Sequence, residues 1–466
     1  MFMYLMSAGA AEMVTGSCHL LDFQTTQILV DCGLFQGPKS VEKRNSTAFP
    51  FSPSSLDAVC ITHGHLDHVG RLPKLVRDGF SGPIFATHAT RQIVEIILRD
   101  AARIQLEDYK RSFRKARRSG REQTVESPLY DENDVNHALS LFAQPVDFGK
   151  PFNIGTNLQV TFHSSGHILG SAWIQFDIND RRIILSGDLG NRESSLQAPA
   201  TIPPKCDAVI VETTYANRTH RSRDATRNEF QLIVDRAVRL GGIVMIPSFS
   251  LERTQGVLLQ LKNFTDNEAA PQIPIFLDSP MATKMTRLYQ TCANEFRPEV
   301  ATRLASGEDP FEPSSLSYTV ETDASKALNK IKGSAIIIAG SGMMSGGRIV
   351  HHLKHNLWKP QSSLVVVGYQ AKGSLGRRLV DGAKTIRIFG EEIIVRASVH
   401  TIGGFSAHAD KDDILTWLGG VGPAHIHLVH GENEAMNEFA SFLRNDGRKV
   451  TIPEYGERIP LFDVYR

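Results

Sequence analysis

Three histidines and an aspartate lie within six residues of one another, in the segment Thr62-His63-Gly64-His65-Leu66-Asp67-His68. Nitrogen and oxygen donors without a thiolate favour zinc over manganese or iron. His63 and His65, two positions apart, can point to one ion, while Asp67 and His68 can turn toward a second. The alternative is a solvated polar loop. In a buried loop, however, polar groups without a cation would lack partners, at about 1–3 kcal/mol each, so the spacing predicts a metal site.

Three further ligand-type residues each follow an apolar stretch with the character of a β-strand. These are His167 after residues 158–162, Asp188 after residues 183–185, and His430 after residues 425–429. A glycine beside each residue lets the backbone approach a crowded centre. Each one alone is typical of an ordinary loop, but with the histidine segment they complete two ligand sets. We predict one ion held by His63, His65 and His167, a second held by Asp67, His68 and His430, and Asp188 as the bridge.

Asp31 ends another apolar stretch, residues 27–30. We predict that its carboxylate accepts an N–H hydrogen bond from a ligand histidine and does not bind the metal directly. A turn-capping role is equally consistent with the local sequence.

These side chains need several strands that end close together. Residues 17–23 and 27–30 flank a polar turn and predict a hairpin. Further strands are predicted over residues 56–61, 158–162 and 182–185. Between the strands 56–61 and 158–162 lies a helical stretch, residues 90–143, which is interrupted near Gly120 and Pro128.

Residues 216–394 differ from their flanks because strands and helices alternate along them. That order predicts an α/β module with a parallel sheet. The predicted ligands fall on both sides of the module, so we expect it to be inserted into a larger first domain. The expected boundaries are 1–215 and 395–466 for the two parts of the first domain and 216–394 for the insertion. Three tryptophans in apolar contexts are predicted to lie in the core: Trp173, Trp358 and Trp417.

The composition is that of an ordinary globular protein. The chain has 466 residues, 41% hydrophobic and 22% charged, which allows two or three domains or one large fold with an insertion. The net charge is +1, from 51 Lys and Arg against 50 Asp and Glu, which excludes a uniformly basic coat for nucleic acid. A local run of cations remains, and it comprises Lys110, Arg111, Arg114, Lys115, Arg117, Arg118 and Arg121. A solvated helix face is the favoured interpretation of that run, with a role in guiding RNA as the alternative.

Five scattered cysteines, without paired spacing, favour a reducing compartment and argue against both a disulfide framework and a cysteine zinc site. No apolar run approaches the roughly 20 residues that would span a bilayer. The first residues lack the basic start of a secretory signal. We therefore expect a cytoplasmic protein without a membrane partner.

The segment from His63 to His68 resembles the HxHxDH motif of the metallo-β-lactamase superfamily. Three other motifs are similar to those of its β-CASP nuclease branch, namely Glu212 in Val211-Glu212-Thr213-Thr214-Tyr215, His408 in Phe405-Ser406-Ala407-His408-Ala409-Asp410, and His430 in Leu428-Val429-His430-Gly431-Glu432. The resemblance extends over essentially the whole chain. It implies a four-layer αββα sandwich, with an inserted α/β β-CASP domain of mainly parallel sheet and RNA in the cleft between the two domains. It also implies two Zn²⁺ ions per chain on the ligands predicted above, with Mn²⁺ as the alternative metal.

A histidine at the position of His430 accompanies RNA substrates in that family, whereas DNA-repair members carry valine there. The segments 166–172 and 340–347 resemble the cleavage-and-polyadenylation endonuclease type, and the chain is most similar to its short bacterial members. The resemblance implies a zinc-dependent ribonuclease that leaves 5′-phosphate and 3′-hydroxyl ends on single-stranded RNA. Endonucleolytic cleavage is expected, with 5′-exonucleolytic action as a second mode. The alternative is a dimetal hydrolase of the same superfamily acting on DNA or on a small ester or thioester, which would need neither Glu212 with His408 nor the inserted domain.

The catalytic roles follow from the same resemblance. Asp67 orients the attacking water, and His408 protonates the leaving 3′-oxygen. Glu212 pairs with His408 and keeps the imidazolium charged near neutral pH, while Asp31 supports a ligand. Substrate phosphates are expected at two strand–turn–helix sites and a following arginine pair: Ser248 with Arg253, Ser341 with Gly342, and Arg377 with Arg378. A homodimer is left open.

Overall fold

The structure of the chain, a computed structural model, describes residues 3–266, 273–368, 370 and 373–462. The chain folds into two compact units. The first comprises Met1–Arg192, Pro199–Thr219 and His408–Arg466, and the second comprises Glu193–Ala198 and His220–Ala407. The second unit therefore extends past residue 394, the expected end of the insertion, because the strand Ser398–Thr401 pairs with the strand Ser363–Val366 of that unit.

Two sheets form the centre of the first unit. One has six strands in the order β21 (Arg458–Pro460), β1 (Tyr4–Ser7), β2 (His19–Asp22), β3 (Gln27–Val30), β4 (Ala58–Cys60) and β5 (Ile84–Phe85). The other has seven, in the order β20 (Val450–Thr451), β19 (His425–Val429), β10 (Ala208–Glu212), β9 (Arg181–Leu185), β8 (Ala172–Ile178), β7 (Leu158–Ser164) and β6 (Phe152–Ile154). The predicted hairpin is confirmed, since β2 and β3 pair antiparallel.

Apolar side chains from both sheets pack into one shared core. Ile28 and Val30 of the first sheet meet Phe162, Ile174 and Ile183 of the second in this buried cluster. Such interdigitation is what holds two stacked sheets face to face. The outer face of the seven-stranded sheet is covered by helices, whose buried residues form a second cluster with Val209 and Leu428. The αββα sandwich predicted for this part of the chain is confirmed.

The helices of the first unit are α1 (Lys39–Glu42), α2 (Leu66–Val69), α3 (Leu72–Arg77), α4 (His88–Arg117), α5 (Glu132–Ser140), α13 (Lys411–Leu418) and α14 (Asn433–Asn445). The predicted break near residues 120 and 128 separates α4 from α5. Ile414 and Trp417 of α13 and Phe439 of α14 belong to the cluster on the outer face of the seven-stranded sheet. No helix in the described ranges is both long enough and apolar enough to cross a membrane.

The second unit is built on a six-stranded parallel sheet, in the order β13 (Leu316–Tyr318), β12 (Ile275–Asp278), β14 (Ala335–Ala339), β11 (Ile243–Pro247), β15 (Ser363–Val366) and β18 (Ser398–Thr401). A hairpin, β16 (Thr385–Ile388) and β17 (Glu391–Ile394), accompanies it. The helices are α6 (Arg223–Arg239), α7 (Arg253–Thr265), α8 (Pro280–Gln290), α9 (Pro298–Ala305), α10 (Thr322–Ala327), α11 (Gly347–Asn356) and α12 (Leu375–Val380). The continuous apolar strand Ala335–Ala339, buried at every position, is typical of a parallel sheet covered on both faces.

One core prediction is wrong. Trp173 and Trp417 are buried, but Trp358 is 49% exposed. Trp358 follows α11 and the ammonium of Lys359 lies 5.6 Å from the centre of its ring, so a cation contact on the surface takes the place of core packing.

Candidate metal centre

All the predicted metal ligands lie in the first unit and come together. Four of them offer donor atoms that lie within 4.8 Å of one another, and these are His63, His65, His167 and Asp188. Asp67, His68 and His430 form a second such group, and Asp188, Glu212 and His408 form a third. The shared Asp188 joins the first group to the third.

The first group has the spacing of a tetrahedral zinc site. The Nδ1 atom of His65 lies 3.1 Å from Nε2 of His63 and 3.3 Å from Nε2 of His167. The Oδ2 atom of Asp188 lies 3.5 Å from each of those two Nε2 atoms. Ligands about 2.05 Å from a tetrahedral zinc ion are separated from one another by about 3.3 Å, so these four donors fit one ion.

The second group lies on the other side of Asp188. The Nε2 atoms of His68 and His430 are 3.2 Å apart, and Oδ2 of Asp67 is 3.7 Å from Nε2 of His430. The Oδ1 atom of Asp188 lies 3.3 Å from Nε2 of His68. The two oxygens of one carboxylate therefore face different groups, which is the geometry a bridging ligand requires.

The charge state of three donors of the first group also suits a cation. The Oδ1 atom of Asp188 is buried and accepts no hydrogen bond from the described residues, an arrangement that a positive ion would compensate. Burial alone would raise the pKa of Asp188, but His430, His68 and His63 outweigh it and hold the pKa well below the usual range. Burial lowers the pKa of His63 far below its ordinary value and that of His65 to about 4. Both imidazoles are thus neutral and their lone pairs are available, as metal binding requires.

Close backbone approaches hold the ligand loops in place. A Cβ atom on Gly33 would stand 1.5 Å from the carbonyl oxygen of Asp67, and one on Gly190 would stand 1.8 Å from that of Gly166. Only glycine fits at either position. His430 has a φ of 53° at the end of β19, a left-handed conformation that is costly for a residue with a side chain and is concentrated at functional sites.

Asp31 lies beneath the ligands, as expected for a residue that supports them. Its Oδ2 atom lies 2.7 Å from Nδ1 of His68 and accepts the hydroxyl of Thr62 at 2.8 Å, while Oδ1 accepts the amide of Thr62. Burial would lower the pKa of His68, but Asp188 and Asp31 outweigh it and raise the pKa well above its usual value. With Nδ1 engaged by Asp31, the Nε2 atom of His68 is the one that faces the centre.

Replacing Asp31 with asparagine should weaken metal binding. The amide keeps the shape of the side chain but removes the charge that orients His68, and loss of such support typically costs about 10–100-fold in metal affinity. Zinc affinity measured by competition with a chelating dye should fall by that factor, and excess zinc should restore cleavage. Asp57→Asn is the matched control, because exposed Asp57 accepts a backbone amide from Gln27 at the foot of the same sheet. Unchanged zinc affinity in Asp31→Asn would contradict the supporting role.

Glu212, which is fully buried, and His408, which is partly exposed, form a pair at the edge of the donor groups. The Oε1 atom of Glu212 lies 3.2 Å from Nδ1 of His408 and accepts the amide of Leu189 at 2.7 Å. Burial would lower the pKa of His408, but Glu212 and Asp188 outweigh it and raise the pKa. Glu212 thus favours the charged imidazolium of His408, and Nε2 lies on the side of the ring away from Glu212.

Two threonines that the motifs did not identify as functional contact the ligand histidines. The hydroxyl of Thr62 lies 3.0 Å from Nδ1 of His63 and that of Thr214 lies 3.0 Å from Nδ1 of His430. Each threonine therefore orients a predicted ligand ring. The contact of Thr62 could have been suspected from the sequence, because Thr62 directly precedes His63. The contact of Thr214 could not, because His430 is 216 positions away.

The residues predicted to bind substrate belong to the second unit. Ser248 and Ser341 follow β11 and β14, whose carboxyl ends are adjacent. The two turns are in contact, since a Cβ on Gly342 would stand 2.5 Å from the ring of Phe249. Ser248 is only 2% exposed and its hydroxyl donates to the carbonyl of Phe249. Its hydroxyl is already engaged, so at this turn Arg253, the first residue of α7, is the better candidate for a phosphate contact.

Arg377 and Arg378 lie in the last turn of the short helix α12. The Nε atom of Arg377 is paired with Asp381 at 2.9 Å, whereas Arg378 is exposed. The structure thus separates this pair into a residue with an acidic partner and one directed to solvent. Their role in binding substrate stays a prediction.

Comparison with known proteins supports the same architecture. Residues 12–84 match the metallo-beta-lactamase superfamily, residues 254–379 the Beta-Casp domain, and residues 392–453 the Zn-dependent metallo-hydrolase RNA specificity domain. A ribonuclease of Thermus thermophilus is 41% identical over 98% of this chain and 100% of its own length. The chain belongs to the β-CASP branch of the metallo-β-lactamase superfamily.

Two further proteins, of other names, are also similar to the chain. A transcription termination factor of Methanosarcina mazei is 29% identical over 93% of this chain and 67% of its own length. Cleavage and polyadenylation specificity factor 73 of Drosophila melanogaster is 28% identical over 94% of this chain and 61% of its own length. A protein of unknown function from Enterococcus faecalis shares the fold, with a TM-score of 0.56 at 13% identity over 99% of this chain and 100% of that one.

Proposed function

We propose that this β-CASP protein is a ribonuclease that uses two zinc ions to hydrolyse phosphodiester bonds of single-stranded RNA, leaving 5′-phosphate and 3′-hydroxyl ends. It is a metal-dependent hydrolase acting on RNA, as its full-length similarity to a ribonuclease and its RNA specificity domain indicate. The observation that carries the finer proposal is the position of Asp188, whose two oxygens face two separate donor groups beside the His408–Glu212 pair.

The seven proposed ligands fall into two sets of three and one shared residue. One zinc ion would be held by His63, His65 and His167. The other would be held by Asp67, His68 and His430. Asp188 would be a ligand of both ions. Two zinc ions, when bound, supply a water of lowered pKa and a positive charge for a phosphate oxygen. Mn²⁺ suits the same donors less well, because five of the seven are imidazoles.

Asp67 is the residue best placed to orient the attacking water. Its Oδ2 atom faces His430, and the side chain is one-fifth exposed, so it borders solvent while His68 and His430 are buried. Burial would raise the pKa of Asp67, but the nearby His430 and His68 outweigh it and lower the pKa. The ionised carboxylate can accept a hydrogen bond from a water molecule.

His408 is the proposed general acid. Its ring is about one-fifth exposed, while that of Glu212 is fully buried, so substrate reaches His408 and not its carboxylate partner. A positioned acid gives its proton to the 3′-oxygen as the bond to phosphorus breaks, which avoids an unstable alkoxide. Glu212 acts through His408 by raising its pKa and fixing its ring.

Cleavage of labelled nucleic acid tests this function. The purified, zinc-loaded protein is incubated with 5′-labelled and internally labelled single-stranded RNA, and with DNA of the same sequence, with and without a chelator. We expect the protein to cleave RNA and not DNA. Cleavage should be lost with the chelator and should return when zinc is added. The products should be substrates for a ligase that requires a 5′-phosphate. Equal cleavage of DNA, or 3′-phosphate ends, would contradict the proposal.

The same assay separates the two modes of cleavage. Internal products from a 5′-blocked RNA indicate the endonucleolytic mode that we propose, whereas release of mononucleotides from the 5′ end indicates the exonucleolytic one. The cytoplasmic location and the homodimer stay predictions from the sequence.

A further inference from the structure

Helix α4 (His88–Arg117) begins at the loops that carry two of the proposed ligands. The hydroxyls of Thr87 and Thr90 both donate to the carbonyl oxygen of Gly170, close after His167. On the other side, a Cβ on Gly64 would stand 2.3 Å from a methyl carbon of Ile93. The start of this helix is therefore fixed against the metal centre.

The rest of the helix extends away from that anchor and changes character. Its buried residues all lie in the first half, and these are Ala89, Thr90, Ile93, Val94, Ile97, Leu98 and Ala102. From Arg103 onward no residue of the helix is buried. At about 1.5 Å per residue, Lys110 lies about 26 Å and Arg117 about 36 Å along the axis from Ile93.

The exposed end carries a continuous face of positive charge, which we call the basic arm, residues 110–121. All seven of its cations are exposed. At about 100° per residue, the six from Lys110 to Arg118 fall within an arc of about 160°. Half-buried Tyr109 and Phe113 lie on the opposite side. Arg111 is paired with Asp108 at 3.4 Å, and within the described ranges the other six cations form no ion pair.

Stability of the helix does not explain this arrangement. Cations in the last turn favour a helix through its dipole, but Lys110 and Arg111 lie before that turn. Lys110 with Arg114, and Arg114 with Arg118, are like charges four residues apart, and such pairs are destabilising. Earlier in the same helix, Arg99 and Arg103 are paired with acidic residues. The like charges of the arm therefore destabilise the helix, and a bound polyanion would neutralise this repulsion.

We infer that the basic arm binds the phosphate backbone of the RNA substrate, at a distance from the metal centre and without reading its sequence. This inference rests on the proposed function, since it assigns a second contact to the same substrate. Lysine and arginine contacts to phosphates supply affinity and register but no base specificity. The arm lies farther along the helix than a short oligonucleotide at the metal centre extends, because four stacked nucleotides span about 14 Å.

The test replaces Lys110, Arg114 and Arg117 with glutamine, in the His408→Ala background so that RNA is not consumed. Binding of a long single-stranded RNA of mixed sequence is measured over a range of salt concentrations. The negative slope of log affinity against log salt concentration should become shallower by about 2 when three phosphate contacts are lost. The matched control replaces three exposed lysines of the same unit, Lys150, Lys205 and Lys449, and should keep the slope of the parent protein.

Kinetics with His408 intact give a second measure. The ratio of kcat/KM for long RNA to kcat/KM for a tetranucleotide should fall about 10–100-fold at 0.1 M salt in the arm variant and stay constant in the control. An unchanged slope in the arm variant, or an equal loss in the control, would overturn the inference. So would arm-dependent binding to vesicles containing anionic lipid with an unchanged RNA slope, which would assign the surface to a membrane. Failure to cleave any RNA contradicts the proposed function instead, and the binding slopes still decide the role of the arm.

Discussion

Asp188→Asn is expected to abolish RNA cleavage and to empty both halves of the metal centre. Among the described residues, Asp188 is the one whose carboxylate oxygens face both donor groups, at 3.5 Å from His63 and His167 and 3.3 Å from His68. The amide has nearly the same size, so the loss reflects charge and donor atoms and not a cavity. Without the carboxylate, two cations close together would lack the negative charge that offsets their repulsion.

Metal analysis of the purified variant, after zinc loading and desalting, measures this effect directly. Wild-type protein should retain two zinc ions per chain, and Asp188→Asn should retain fewer than one. Asp180→Asn is the matched control, because Asp180 is exposed in the turn that follows β8. If Asp188→Asn kept two zinc ions and full activity, the bridging role would be wrong.

His408→Ala is expected to lower kcat by about 10²–10⁴-fold, the usual contribution of a general acid. At least one zinc ion should remain bound, because both main donor groups are complete without His408. RNA affinity should also persist. His163→Ala serves as the control, since that imidazole stacks on Trp173 with ring centres 4.0 Å apart, outside the donor groups. Wild-type turnover in His408→Ala would contradict the acid role.

A substrate with a sulfur at the scissile 3′ position gives a sharper test of that role. A thiol ionises near pH about 8.5, so the leaving thiolate needs no proton, and the defect of His408→Ala should largely disappear. The pH profile offers a further check. Glu212 raises the pKa of His408, so wild-type kcat should fall only as pH rises through that raised pKa. The variant should lack this alkaline limb, and an identical limb in both proteins would assign it to another group.

The ligand residues could be predicted because each carries its chemistry in a short segment. His63 to His68 follow a strand and begin a helix, so their loop was evident from local sequence, and the strands before His167 and His430 were equally clear. The layered sandwich followed from the family resemblance and not from the local pattern, and Phe162 of a predicted strand packs in its core with Ile174 of a strand that was not predicted.

Features that depend on distant partners could not be predicted in this way. Nothing near Thr214 indicates that its hydroxyl contacts His430. Ser248 had the local sequence of an anion site, yet its hydroxyl is engaged by its own turn. Trp358 lies in an apolar stretch, but the end of α11 leaves it exposed. In each case the decisive contact is set by packing that the local pattern does not encode.

The place of β19 (His425–Val429) in the seven-stranded sheet has a consequence for synthesis on the ribosome. It pairs with β10 (Ala208–Glu212), a strand that is buried at every position and that would otherwise form an open, apolar edge. On the proposed assignment, the general acid His408 and the ligand His430 are made last, after the six other ligands. We therefore expect a nascent chain to lack nuclease activity until residue 430 has emerged. Until β19 pairs with it, β10 leaves an apolar strand edge open, and such edges are prone to aggregation.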